Sequence, residues 1–304
     1  MPSLQPPARR PGRLALALAL GAALLAGSLV GCGSDGGDTA GSSTSTSAPA
    51  PATTVTTATP SGPATTAAGD TTEARVYFAR DEAVATAGRT VATPAVARGA
   101  LDALLEGPTA DEAGIGMTSE IPEATELLGV DVADGTATVD LSAAFESGGG
   151  SLSMQLRVAQ VVFTLTQFPT VDEVDVHLDG DAVEAIGGEG VPADGLTRAD
   201  FENVTPLILV EAPVPGATVS SPVELSGTAN TFEANVRYTI TGADGTVLAD
   251  GFTTATAGTG TWGTFSVEVD LEGRPTGTGT VTAFEESAED GSAVNEYDVP
   301  VRFG

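Results

Sequence analysis

Residues 151–167 read Ser-Leu-Ser-Met-Gln-Leu-Arg-Val-Ala-Gln-Val-Val-Phe-Thr-Leu-Thr-Gln and lie between three glycines, 148–150, and Pro169. Apolar residues recur at helical spacing along one face: Leu152, Leu156, Ala159 and Phe163. Others widen that face until it nearly surrounds the helix: Val158, Val161, Val162 and Leu165. The stretch therefore predicts a helix buried at the centre of a domain.

Four further elements are predicted around this helix. They are a strand at 75–78, a helix opened by Thr93-Pro94 and stopped by Gly107-Pro108, a hairpin of 127–132 and 136–141, and a strand at 174–178. Asp134-Gly135 supplies the positive φ that a tight hairpin turn needs. The order strand, helix, hairpin, helix, strand predicts a small α/β or α+β domain.

The helical period disappears from Leu207 onward. Seven strands are predicted there, at 207–210, 223–229, 236–241, 247–252, 265–269, 279–285 and 297–301. Turn signals such as Pro215-Gly216, Asp244-Gly245 and Asp290-Gly291 separate them at short intervals. This pattern predicts an all-β, immunoglobulin-like sandwich.

The N-terminus reads as an export signal. Arginines precede an apolar run that ends at Leu29-Val30-Gly31-Cys32, which resembles the lipobox of bacterial lipoproteins. The resemblance implies a signal peptide over 1–31, cleavage between Gly31 and Cys32, and a lipid on the Cys32 thiol. The product would be extracytoplasmic and lipid-anchored to the outer face of the cell membrane. A short membrane-spanning anchor and a buried cysteine are the alternatives, and the export route, general secretory or twin-arginine, stays open.

Residues 32–72 are almost wholly Ala, Gly, Pro, Ser, Thr and Asp, which predicts a disordered tether. Cys32 is the only cysteine. Once it carries lipid, no thiol remains for a disulfide or for a cysteine-based metal site. The folded part must therefore be stable through its core alone.

Charge and composition exclude several functions. The formal net charge is −29, so nucleic acid and anionic lipid surfaces are unfavourable partners. The chain has no lysine and therefore no Schiff base, Ser-Lys dyad or P-loop lysine. It also lacks the Gly-x-Ser-x-Gly and HExxH motifs. We therefore predict no enzyme, no catalytic residue and no cofactor, with a wall-glycan hydrolase using paired carboxylates as the alternative.

The single histidine and the densest acidic run lie together. His177 is predicted on the polar face of its strand beside Asp175, exposed and without a catalytic role. The run Asp172–Asp181 offers oxygen ligands suited to calcium. Read as an EF-hand from Asp175, however, it places His177 and Ile186 where acidic ligands are required. We predict a solvated acidic face and no metal site, and a solute- or cation-binding lipoprotein remains the alternative.

Three aromatic residues stand out in the C-terminal half: Phe232, Trp262 and Phe265. They are predicted in the core of the sandwich, with a partner-binding surface as the alternative. Trp262 has glycine on both sides in a loop-like stretch. It is therefore the residue most suited to such a surface.

Ordered motifs over 73–187 resemble the GerMN domain: Arg75-Val76-Tyr77-Phe78, Ala103–Thr109, Ile121-Pro122, Leu128-Gly129-Val130, Ala137–Leu141 and Thr164–Pro169. Motifs over 207–304 resemble the immunoglobulin-like Gmad2 domain, which often accompanies GerMN: Glu211–Gly216, Ser226–Ala229, Phe232–Val236 and Gly260–Phe265. Residues 188–206 are predicted as a linker. The resemblance implies a non-catalytic lipoprotein that binds or scaffolds an envelope protein or the cell wall, related to sporulation or germination.

Overall fold

The computed structural model describes residues 69–188 and 190–304. These residues all belong to one compact unit. The predicted signal peptide, Gly31, Cys32 and nearly all of the predicted tether lie outside the described residues. No helix in the described part of the chain is long and apolar enough to cross a membrane.

In its described residues, the first domain contains eight strands and three α-helices. They are β1 Thr71–Arg80, β2 Ala83–Ala92, α1 Val96–Leu105, α2 Ala110–Gly114, β3 Leu127–Ala133, β4 Thr136–Leu141, α3 Ser151–Leu165, β5 Glu173–Leu178, β6 Asp181–Ala182, β7 Ala185–Ile186 and β8 Val191–Pro192. A 3₁₀ helix spans Ala143–Glu146, and another spans Arg198–Val204.

Helix α3 is buried along most of its length, as predicted, and every residue from Leu156 to Leu165 is buried. On one side lies a sheet in the order β3-β4-β5-β6, in which β4 and β5 run parallel. On another side lies the antiparallel hairpin of β1 and β2, whose turn places Asp81 and Glu82 at positive φ. The first domain is therefore an α+β fold around α3.

Strand β1 pairs with β2 on one edge. On its other edge, side chains of α3 form hydrogen bonds with its backbone N–H and carbonyl groups. The Thr164 hydroxyl accepts a hydrogen bond from the Tyr77 N–H at 3.2 Å, and Gln160 Nε2 donates to the Tyr77 carbonyl at 3.1 Å. Just beyond α3, the Gln167 amide accepts from the Arg75 N–H and donates to the Arg75 carbonyl. Because buried backbone groups need partners, these polar residues take the place of a neighbouring strand.

The second domain is built from eight strands. They are β9 Ile208–Ala212, β10 Thr218–Val219, β11 Val223–Ala229, β12 Asn235–Gly242, β13 Val247–Thr254, β14 Gly263–Val269, β15 Gly277–Glu286 and β16 Ala293–Phe303. A short 3₁₀ helix, Phe232–Ala234, precedes β12.

These strands form two facing sheets, β10-β16-β15-β12-β13 and β14-β11-β9. Residues alternate between core and surface, as in β12, where Val236, Tyr238 and Ile240 are buried. All seven predicted strands are present, and β10 adds a short parallel partner for β16. The predicted immunoglobulin-like sandwich is confirmed, and so is the mixed fold of the first domain.

The structure differs from the sequence expectations in three places. Strand β2 was not predicted, because its sequence is rich in alanine and carries weak strand propensity. Helix α1 begins at Val96 after an Ala95 N-cap, two residues later than Thr93-Pro94 suggested. The predicted linker 188–206 instead contains β8 and a 3₁₀ helix, and its Leu196, Phe201 and Val204 are buried in the core.

Candidate functional site at the domain junction

Three side chains meet where the two domains join: Tyr77 of β1, Arg198 of the second 3₁₀ helix, and Glu211 of β9. Arg198 Nη1 donates to Glu211 Oε1 at 2.7 Å, and Arg198 Nη2 donates to the Tyr77 hydroxyl at 3.1 Å. The Tyr77 hydroxyl in turn donates to Glu211 Oε1. We call these three residues the junction cluster.

Aromatic rings and oxygen acceptors complete the surroundings of Arg198. Its guanidinium carbon lies 5.2 Å from the ring centroid of Tyr77 and 4.7 Å from that of Phe163, which favours cation–π attraction. Its Nε donates to the Thr166 hydroxyl at 3.0 Å, and Nη2 also contacts the Phe163 carbonyl at 3.3 Å. Arg198 is thus bonded to both domains.

Burial and charge set the ionisation states of the cluster. Burial raises the pKa of Tyr77 well above its usual value, although the Arg198 charge opposes this. Burial alone would raise the pKa of Glu211, but the Arg198 charge and the Tyr77 hydrogen bond outweigh it and lower that pKa. At neutral pH, Tyr77 is therefore a neutral donor beside an ion pair, an arrangement suited to holding domains together.

A second set of contacts joins β1 and β2 to β16. The Tyr297 hydroxyl accepts a hydrogen bond from the Thr86 N–H at 3.2 Å. The Arg80 guanidinium lies 4.5 Å from the Tyr297 ring centroid and donates to the Asp298 carbonyl at 3.3 Å. Gly88 packs closely against the second domain, because a Cβ there would lie 2.6 Å from a methyl group of Val214. The second domain therefore contacts the first along β1 and β2.

An exposed aromatic pair lies away from this junction. Phe232 is 55% exposed and Phe252 is 62% exposed. Both line a hollow of about 380 Å³ on the five-stranded sheet, together with Arg237 and the carboxylates of Glu285 and Glu286. The Phe232 N–H donates to Glu285 Oε1 at 2.8 Å, which fixes the position of this aromatic residue. We call these five residues the aromatic hollow.

The three aromatic residues singled out in the sequence have different environments. Phe265 is buried, which confirms its predicted place in the core. Phe232 is exposed because it begins a 3₁₀ turn outside the sandwich, so its predicted core position was wrong. Trp262 is half-buried, and its indole Nε1 is enclosed without a hydrogen-bond partner in the part that the structure describes. Its role in a partner surface stays a prediction.

Phe252 was missed by the sequence reasoning. Strand alternation from the buried Leu248 would place Phe252 on the inner face as well. A bulge reverses this parity, because Ile240 pairs with Ala249 whereas Thr241 pairs with Val247, which leaves Leu248 as the extra residue. The sequence carried no signal for that bulge.

His177 lies half-buried on the outer face of its sheet, opposite Asp140 of the neighbouring strand. Within residues 69–188 and 190–304 its side chain has no hydrogen bond or ion pair. The described chain therefore places no Ser-His-Asp triad around it.

The acidic run beside His177 is divided among separate local contacts. Glu173 accepts from the Thr136 hydroxyl at 3.0 Å, Asp175 from the Gly195 N–H at 2.7 Å, and Asp179 from the Ala143 N–H at 3.1 Å. Nowhere in the described ranges do three His, Cys, Asp or Glu side chains form a group able to hold a metal ion. Three carboxylates of this run thus bond to three separate groups of the first domain.

Family models match both domains. The Germane family, described as sporulation and spore germination, matches residues 75–184. The Gmad2 family, described as the immunoglobulin-like domain of bacterial spore germination, matches residues 207–292. No curated protein sequence matches the chain.

The chain is also similar to solved structures. A protein of Clostridium perfringens described as a candidate lipoprotein is 21% identical, with 47% of this chain and 98% of that chain covered and a TM-score of 0.33. The tandem GerMN domains of the sporulation protein GerM from Bacillus subtilis are 19% identical, with 66% and 62% covered and a TM-score of 0.38. The first GerMN domain of GerM alone is 26% identical, with 42% and 98% covered and a TM-score of 0.34. From the two family matches, the chain joins a Germane (GerMN) domain to a C-terminal Gmad2 domain, two families of sporulation and spore germination.

Proposed function

We propose that this chain is an extracytoplasmic lipoprotein, anchored through Cys32, that holds another envelope protein through its Gmad2 domain and catalyses no reaction. The observation that carries the proposal is the aromatic hollow. Phe232 and Phe252 expose more than half of their surface beside one another in a strongly acidic chain. Exposed aromatic residues around a concave surface are typical of the anchor points of protein interfaces.

Charge around the hollow favours one kind of partner. Glu285 and Glu286 line it, and Glu233 adds a third carboxylate to the lining. Arg237 is already paired with Glu286 at 3.0 Å. Since the whole chain has a net charge of −29, a second copy or an anionic lipid surface would be repelled. We infer a basic, partly apolar segment of an envelope protein as the occupant.

Crosslinking in cells tests this surface. The Phe232→Ser/Phe252→Ser variant removes both exposed rings, and Leu128→Ser is the matched control because Leu128 is 46% exposed on the first domain. Affinity recovery and mass spectrometry should identify a basic envelope protein with the wild type and the control, and lose it with the double variant. Equal recovery from all three would reject the aromatic hollow as the contact.

Cell fractionation tests the anchor separately. Cys32→Ala removes the thiol to which lipid is attached in the proposed lipoprotein. The chain should therefore lose an incorporated lipid label and leave the membrane fraction. Cys32→Ser keeps a small polar side chain at the same position and should behave in the same way. Unchanged fractionation of both variants would reject lipid anchoring while leaving the aromatic hollow open to its own test.

A further inference from the structure

A cleft of about 740 Å³ lies between the two domains, next to the junction cluster. Its walls are largely apolar, with Phe168 on the GerMN side and Val214 and Pro215 on the Gmad2 side. The charged groups in its lining are Arg75, Glu73 and Glu211. Apolar walls with a few polar groups, at a domain interface, are the usual setting of a ligand site.

Arg75 is unusual among the arginines of the described chain. Its Nε is buried without a hydrogen-bond partner, and no described carboxylate forms an ion pair with its guanidinium. Each of the other buried or half-buried arginines of the described residues donates to a carboxylate or carbonyl oxygen: Arg80, Arg89, Arg157, Arg198 and Arg237. Arg237 also has a buried Nε without a partner, but its Nη1 donates to Glu286. A buried N–H without an acceptor is costly. The charge of Arg75 helps to lower the pKa of Glu211, but no described carboxylate lies within ion-pair distance of its guanidinium.

The backbone of Arg75 is held firmly. Gln167 Oε1 accepts from its N–H at 2.7 Å, and Gln167 Nε2 donates to its carbonyl at 2.5 Å. The strand on one side and this amide on the other fix where the side chain of Arg75 begins. The backbone at Arg75 therefore loses little further freedom when a ligand binds.

The two carboxylates of the lining already have partners. Glu211 Oε1 accepts from Arg198 and Tyr77, and Glu73 Oε1 accepts from the Thr90 hydroxyl at 2.7 Å. Glu211 is paired with Arg198. Arg75 acts on Glu211 only through its charge, without an ion pair, so its guanidinium is the cation of this lining that can pair with a ligand. The nearby carboxylates and the overall charge of −29 would repel a dianion more strongly than a monoanion.

We propose that this cleft binds a monoanionic carboxylate with an apolar body, such as the C-terminal end of a short peptide, and that Arg75 is the group that binds its carboxylate. A guanidinium presents two parallel N–H donors that match the two oxygens of a carboxylate. The apolar walls contact the rest of the ligand. This site is independent of the aromatic hollow and of the proposed partner protein.

Isothermal titration of the full chain tests the site, with N-acetyl-dialanine as the probe. Its free acid should bind at least about tenfold more tightly than its C-terminal amide, because a hydrogen bond to a charged group is lost in the amide. Inorganic phosphate should bind more weakly than the free acid. Equal heats for acid and amide, no binding of the acid, or tighter binding of phosphate would each overturn the proposal.

Variants assign the binding to Arg75. Arg75→Gln should weaken binding of the free acid at least about tenfold. Arg75→Lys keeps the charge but loses the two parallel N–H donors, so its affinity should lie between those of the wild type and Arg75→Gln. Arg98→Gln removes an equal charge from an exposed pair with Asp102 and should leave affinity unchanged. Near-UV circular dichroism confirms that each variant is folded. Unchanged affinity in folded Arg75→Gln would overturn the assignment.

Acetate distinguishes a small free carboxylate from a carboxylate attached to an apolar body, such as a peptide end. If the apolar walls contribute, acetate should bind clearly more weakly than N-acetyl-dialanine, which supports a peptide end as the ligand. Acetate that binds equally well would retain the carboxylate site but overturn the part of the proposal that assigns an apolar body to the ligand.

Discussion

At the scale of single residues, Arg198 forms an ion pair with Glu211 across the domain boundary. Its side chain is 26% exposed and that of Glu211 is 13% exposed, so their ion pair is largely removed from water. Removing one member of such a pair leaves the other as an uncompensated charge. The Tyr77 hydroxyl cannot compensate by itself, because it supplies a single proton to Glu211.

Arg198→Gln should therefore lower the free energy of unfolding by roughly 2–4 kcal/mol, slightly less than for a fully buried pair. Arg98→Gln breaks only an exposed pair within one helix and should cost less than about 0.5 kcal/mol. Urea denaturation followed by circular dichroism measures both. Similar losses for the two variants would mean that the junction cluster contributes no more than a surface ion pair.

Glu211 also predicts how stability depends on pH. Its pKa in the folded state is lowered, so its stabilising contribution is complete above the pKa of the unfolded state, about 4.3, and is lost as the pH falls through the folded value. The difference in unfolding free energy between the wild type and Glu211→Gln should be largest above about pH 5 and should shrink on further acidification. Urea titrations from pH 7 to pH 2 measure this difference. A difference that stays constant over this range would contradict the lowered pKa.

At the scale of elements, α3 does more than fill the core. Its Gln160 is fully buried and joins two backbone groups, the Tyr77 carbonyl and the Glu120 N–H, to the helix. Leucine has a similar volume but offers neither donor nor acceptor. Gln160→Leu would therefore leave both backbone groups without their partner.

We expect Gln160→Leu to lower the free energy of unfolding by roughly 2–4 kcal/mol, the cost of two buried unsatisfied groups. Gln155→Leu, on the same helix, affects only an exposed bond to Asn203 and should change stability by less than about 0.5 kcal/mol. Amide hydrogen exchange should also become faster in β1 for the first variant alone. If Gln160→Leu left the free energy of unfolding unchanged, the hydrogen bonds from α3 to the edge of β1 would not contribute to stability.

The elements also show where sequence patterns suffice. The period of 3.6 residues identified α3, and alternation with turn signals identified the strands of the sandwich. The hairpin turn at Asp134-Gly135 followed from its residue types, and both residues have positive φ. Strand β2 and the fold of 188–206 were not predictable in this way, because tertiary packing rather than local propensity stabilises them.

The candidate site was predictable to a smaller extent. Tyr77, Arg198 and Glu211 are far apart in the sequence, and Arg198 lies in a segment that reads as a linker. No local pattern indicates that they meet. The only general signal is the scarcity of cations, 12 against 41 acidic residues, which makes any arginine flanked by apolar residues a candidate for a buried pair.

At the scale of the whole molecule, the contacts along β1 and β2 should make the two domains unfold together. The junction cluster lies at one end of this boundary, and the Thr86–Tyr297 hydrogen bond lies further along it. When domains share buried, directional contacts of this kind, opening one domain exposes groups of the other. A single cooperative transition is then favoured over two separate ones.

Scanning calorimetry should therefore give one transition for the wild type, with equal calorimetric and van't Hoff enthalpies. Arg198→Gln combined with Tyr297→Phe weakens both contacts and should separate the GerMN and Gmad2 transitions, because each domain retains its own core. Arg98→Gln, which lies away from the boundary, should keep the single transition. Two transitions in the wild type would mean that the domains are joined without energetic coupling, and the cleft between them would then have no fixed shape with which to hold a carboxylate beside Arg75.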